Sequence, residues 1–105
     1  MAEIAIAESQ NGQSFSAKSG DTLAITLPEN PTTGYRWTVT QADSRLLRSA
    51  SDDFSQGAGG VGGGGARTFR FTAAGTGEAS LSFALARSWE SGTPRQQFTI
   101  QVRVQ

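Results

Sequence analysis

At 105 residues the chain has the length for one small domain with a single core. Its nine basic and nine acidic residues cancel, so it lacks the electrostatic footprint of a nucleic-acid or anionic-membrane binder. Histidine and cysteine are absent, which excludes the usual zinc sites, His- or Cys-based nucleophile pairs and disulfides; no cofactor is expected.

Taken in order, the chain alternates like strands and shows no helical period. Glu3-Ile4-Ala5-Ile6-Ala7 opens with Ile4 and Ile6 on one face, and Asn11-Gly12 reads as a turn. Ser14-Phe15-Ser16-Ala17 is a short strand before the turn Ser19-Gly20-Asp21. In residues 22–27, Leu23, Ile25 and Leu27 face inward, and Pro28 is expected to end that strand. Residues 35–40 follow, with Tyr35, Trp37 and Val39 sharing a face; Trp37 reads as packing rather than contact. Residues 43–55 alternate poorly. A turn of helix or a short edge strand both fit there, and the strand is favoured. Residues 67–72 send Phe69 and Phe71 inward and their arginines outward. Residues 78–86 supply Leu81, Phe83 and Leu85 to the core, and residues 97–104 alternate without interruption. Seven or eight short strands joined by turns predict an all-β, immunoglobulin-like antiparallel β-sandwich forming a single domain over 1–105.

Three connections stand out. In Asn30-Pro31-Thr32-Thr33-Gly34-Tyr35, Pro31 fixes its own φ and holds Asn30 extended, while Gly34 accepts a positive φ that the threonines do not. Asn30 and the threonines can bond nearby backbone and stiffen the loop. Proline in the middle position disqualifies Asn30 as a glycosylation acceptor. Most of the thirteen glycines gather in residues 57–65. The G-x-G-x-x-G outline at Gly57, Gly59 and Gly62 precedes a strand and not a helix, so it does not read as a dinucleotide site. It reads either as a plain hairpin connection or as bare backbone for close approach by a partner. Arg87-Ser88-Trp89-Glu90 carries an indole among charges, which closes the core edge or anchors a partner; the Ser91-Gly92-Thr93-Pro94 run that follows favours the anchor. If residues 43–55 form one strand, an even number of strands separates these connections and all three lie at one end.

These residues resemble the chagasin-type inhibitors of papain-like cysteine proteases. Asn30-Pro31-Thr32-Thr33-Gly34-Tyr35 resembles the family's N-P-T-T-G-aromatic loop, Gly57-Ala58-Gly59-Gly60 its glycine-rich loop, and Arg87-x-Trp89 its R-P-W loop. The resemblance implies an immunoglobulin-like sandwich whose three loops wedge reversibly and tightly into a protease cleft. By it, Thr32 and Thr33 lie over the enzyme's catalytic Cys–His pair. Gly57, Ala58, Gly59 and Gly60 follow the non-primed channel, and Arg87 and Trp89 meet the primed side. Ser88 stands where the family has proline, and Gly62 to Gly65 lengthen the glycine run.

An adhesion or scaffold module using the same loops is the alternative. An enzyme is disfavoured, because Asp52 and Asp53 would point to opposite faces of a strand and Lys18, the sole lysine, sits on a turn. Calcium binding by the same pair lacks further spaced oxygen ligands. A free-state monomer is expected, with a papain-like cysteine protease as partner and neither nucleic acid nor membrane; no apolar run is long enough to cross a bilayer. The N-terminus lacks the basic start and apolar stretch of a signal peptide. The compartment is left open: cytoplasmic for the chain as written, periplasmic or secreted for a trimmed mature domain.

Overall fold

Apolar alternation becomes pleated strands wherever both faces of the strand have a defined environment. The computed structural model describes residues 2–30, 33–56, 64–87 and 94–105. Among them are β1 (Glu3–Ala7), β2 (Ser14–Ala17), β3 (Thr22–Glu29), β4 (Tyr35–Gln41), β5 (Leu47–Gln56), β6 (Gly65–Ala73), β7 (Gly77–Arg87) and β8 (Gln96–Val104), with a 3₁₀ turn at Glu8–Gln10. They form two four-stranded sheets, ordered β1-β3-β6-β5 and β2-β8-β7-β4.

Both sheets are mixed. The ladders β3–β6, β5–β6, β4–β7 and β7–β8 are antiparallel, whereas β1 pairs with β3 and β2 with β8 in parallel. Between β1 and β3 the chain passes through β2 in the opposite sheet, so it returns to the first sheet running the same way. Alternation sets which face is buried; it carries no signal for this crossing.

The inner faces meet in a continuous core. Leu23, Ile25 and Leu27 from β3, Phe69, Phe71 and Ala73 from β6, Leu81, Phe83 and Leu85 from β7, and Phe98, Ile100, Val102 and Val104 from β8 are all buried. At its centre the Phe83 ring lies 4.8 Å from Phe69, 6.2 Å from Phe71 and 6.1 Å from Phe98 between centroids. These tilted and edge-on arrangements are the ones aromatic quadrupoles favour.

Residues 43–55 resolve into a turn at Ser44, Arg45 and Leu46 followed by β5, at the edge of its sheet. Three expectations are corrected. Pro28 does not end β3: it pairs with Ala66, and β1 stops opposite Thr26, leaving a bare edge where a missing N–H is tolerated. Val39 is 41% exposed despite sharing a face with buried Trp37, because β4 is an edge strand and Val39 lines an open seam with Ser49 and Phe69. Arg67 points inward and is buried, since the two-residue period places it on the face of Phe69 and Phe71. Asp52 and Asp53 do diverge, Asp52 to Arg67 and Asp53 towards Arg70.

Both ends of the chain gather around the turn preceding β3. Asp21 Oδ1 accepts the Ala2 N–H at 2.9 Å, Ala2 O accepts the Thr22 N–H at 2.8 Å, and Gln105 O accepts the Ser19 N–H at 3.1 Å.

Candidate functional site

The ladders bring the stems of the three unusual connections to the end of the sandwich opposite that turn. Gly65 of β6 lies between Glu29 of β3 and Gln56 of β5, while Tyr35 of β4 faces Arg87 of β7 and Leu85 faces Gln96 of β8. With β5 as a single strand, the condition for a common end is met. Pro31, Thr32, Gly57, Ala58, Gly59, Gly60 and Trp89 lie outside the described residues. Asn30, Thr33, Gly34, Tyr35 and Arg87 lie within them.

The first connection is stiffened from inside. Asn30 O accepts both the Thr33 N–H at 3.2 Å and the Thr33 Oγ1–H at 2.8 Å, and Thr33 Oγ1 accepts the Tyr35 N–H at 3.3 Å. Gly34 sits at φ +82°, in the left-handed region that penalises a β-carbon. Arg87 reaches across from β7, donating Nε–H to Thr33 O at 2.9 Å and stacking over the Tyr35 ring at 4.4 Å. Arg95 approaches the same ring at 5.2 Å. Tyr35 and two arginines therefore tie the stem of the Asn30 connection to the stem that carries Trp89.

Beneath lies a charged cluster that sequence reasoning missed. Glu29 is 5% exposed and Arg67 9%. Arg67 Nε lies 3.0 Å from each Glu29 carboxylate oxygen, and its terminal nitrogens reach Glu29 Oε2 at 2.9 Å and Asp52 Oδ1 at 2.6 Å. Burial disfavours the Arg67 charge, but the Asp52 and Glu29 carboxylates outweigh it and hold the guanidinium pKa above its ordinary value. Glu29 Oε1 also accepts the Trp37 N–H from the other sheet at 2.7 Å, and the indole Nε1–H donates to Pro28 O at 2.8 Å. The signal was present in the spacing: Glu29 continues the inward series Leu23, Ile25, Leu27, and Arg67 begins the series of Phe69 and Phe71.

The described stem of the second connection lies against that of the first. A β-carbon at Gly64 would stand 3.6 Å from Glu29 O and 3.7 Å from the Asn30 β-carbon, so the glycine stem runs in contact with the Asn30 stem. Among the described residues no group of three or more carboxylates is placed to hold a metal ion. The described stems at this end thus form a frame braced by hydrogen bonds and ring stacking.

A family model described as chagasin family peptidase inhibitor I42 matches residues 16–104. Amoebiasin-1 of Entamoeba histolytica is 29% identical over 104 residues, covering 97% of this chain and 100% of that protein. The crystal structure of the cysteine protease inhibitor EhICP2 from Entamoeba histolytica superposes with a TM-score of 0.92 at 23% identity, covering 100% of this chain and 97% of the other. PbICP-C, solved in complex with falcipain-2, superposes with a TM-score of 0.68 at 17% identity over the full length of both chains.

Proposed function

The chain belongs to the chagasin family of peptidase inhibitors, and on that premise we propose that it is a reversible, tight-binding inhibitor of papain-like cysteine proteases, acting through the three-loop end. The observation that carries the reading is the register, which gathers the stems of all three family-like segments at one end. The family assignment favours this over an adhesion or scaffold role, and the family consists of inhibitors, not enzymes.

In this reading Thr32 and Thr33 form the tip over the enzyme's Cys–His pair, with Asn30, Pro31, Gly34 and Tyr35 holding it. Gly57, Ala58, Gly59 and Gly60 lend backbone to the non-primed channel, where side chains no larger than a methyl group let two main chains approach. Arg87 and Trp89 serve the primed side, with Trp89 as the energetic anchor. The chain does no chemistry. A wedge held by the Thr33 hydrogen bonds and the Arg87 bridge has little entropy to lose on docking. It also keeps any carbonyl of its own away from the near-attack geometry that cleavage requires. Ser88 in place of the family's proline removes one φ restraint from the Trp89 segment, which lowers affinity without deleting a contact.

The test is a titration of an active papain-like protease at fixed enzyme concentration. Residual activity should fall linearly to zero near one-to-one stoichiometry, with the added protein intact afterwards. Unchanged activity across several such enzymes would overturn the reading.

A further inference from the structure

The loops of such an end are only as well placed as the strands beneath them, and among the described residues no strand ladder joins the two sheets there. We propose that Glu29 and Arg67 are positioning residues: a buried ionic clamp that fixes the β3 stem of the Asn30 connection against its β4 stem in the facing sheet. This rests on the inhibitor reading above.

Three observations carry it. The clamp spans three adjacent strands of one sheet, with Glu29 on β3, Arg67 on β6 and Asp52 on β5. Through the Trp37 N–H it also grips β4 of the facing sheet at 2.7 Å. Its members are next to the loops they would govern: Glu29 immediately precedes Asn30, and Arg67 follows closely on Gly65, which pairs with Glu29 itself. Arg67 makes this possible because a planar guanidinium fills both Glu29 oxygens and still reaches Asp52. A lysine at that position is a single point charge and cannot reproduce the fork.

A buried ion pair is a poor route to stability, since apolar residues of similar shape often serve as well. What the pair supplies here is a fixed distance. Removing Arg67 alone orphans a buried carboxylate, so it should damage stability and positioning together. Neutralising both partners should separate the two effects. In Glu29→Gln/Arg67→Met the neutral amide oxygen accepts the Trp37 N–H more weakly than the carboxylate does, no buried charge is left unpaired, and Asp52, whose side chain is 43% exposed, turns to water.

The experiment compares wild type, Arg67→Met, Arg67→Lys and Glu29→Gln/Arg67→Met by denaturation, by inhibition of a papain-like protease and by amide hydrogen exchange. Arg67→Met should lose both stability and inhibition. The double variant should regain most of the denaturation midpoint while its inhibition constant stays raised about tenfold, because the loops must now be ordered on binding. Arg67→Lys should fail to restore inhibition. Amides of Thr33, Tyr35 and Trp37 should exchange faster in the double variant, with those of Ile100 and Val102 unchanged. Inhibition that recovers along with stability, or never changes, overturns the clamp. A wild type that does not inhibit refutes the functional reading instead; the exchange data then decide the clamp, and unaltered exchange at Thr33, Tyr35 and Trp37 refutes it.

Discussion

The chain has two tryptophans, and exchanging each in turn should give opposite readouts. Trp37 is 2% exposed, with its indole N–H on Pro28 O at 2.8 Å and its main-chain N–H on Glu29. Trp37→Phe keeps the main-chain bond, removes the indole bond and shrinks the ring. Pro28 is exposed, so its carbonyl finds water and the lost bond costs only about 1 kcal/mol. The smaller ring forfeits transfer energy and leaves a partly relaxed cavity, for roughly another 1 kcal/mol. A total of about 2 kcal/mol corresponds to a fall in Tm on the order of 10 °C for a domain of this size. Guanidinium denaturation followed by far-UV circular dichroism should show a lower midpoint with an unchanged slope, and inhibition within about threefold of wild type. Trp89→Ala should do the reverse, weakening inhibition by about 2 kcal/mol, roughly thirtyfold, while leaving the midpoint nearly in place. A Trp37→Phe loss under about 0.5 kcal/mol would refute the account of how the indole is seated. If Trp89→Ala unfolds the domain, that residue belongs to the core and not to the interface.

Three further outcomes are expected. Phe83→Ala opens the centre of the aromatic cluster and should cost about 3–5 kcal/mol by chemical denaturation; a loss near 1 kcal/mol would mean that Phe83 is not central. Gly34→Ala puts a β-carbon at φ +82° and should cost about 1–2 kcal/mol, with weaker inhibition, as read by denaturation and titration together. The Asp21 carboxyl is held below its ordinary value of 3.8 by the N–H groups of Lys18 and Ala2. Its contribution is complete above that ordinary value and disappears as pH falls through it towards the depressed folded one. Asp21→Asn should therefore lower the midpoint at neutral pH and flatten its decline in acid, and an unchanged acid decline would reject the assignment.

How much was legible varied with how completely a strand is covered. β8 could be read residue by residue, because Phe98, Ile100, Val102 and Val104 are buried on one face while Gln101 and Arg103 are exposed on the other. β5 could not. It is an edge strand with a register shift between Ser49 and Ser51, and Arg48, Ser49, Ala50, Asp52 and Asp53 are all exposed, so no burial pattern constrains its composition. The parallel placement of β1 and β2 was unreadable for a different reason: alternation names the buried face and not the neighbour. Glu29 and Arg67 sat at inward positions throughout, but a charge on an apolar face reads as a break in the pattern until its partner on another strand is known. The loop residues Asn30, Thr33 and Gly34 were legible because proline, glycine and threonine restrict backbone shape locally, without reference to the rest of the fold.

The gathering of Ala2 and Gln105 around the turn at Asp21 has a practical consequence. That turn is at the far pole from the stems of the three connections, so a tag, carrier domain or solid support joined at Ala2 or Gln105 attaches at the end away from those stems. Two copies in tandem, or one immobilised on a sensor surface through Ala2 or Gln105, would each keep the stems of the three connections on the side away from the attachment.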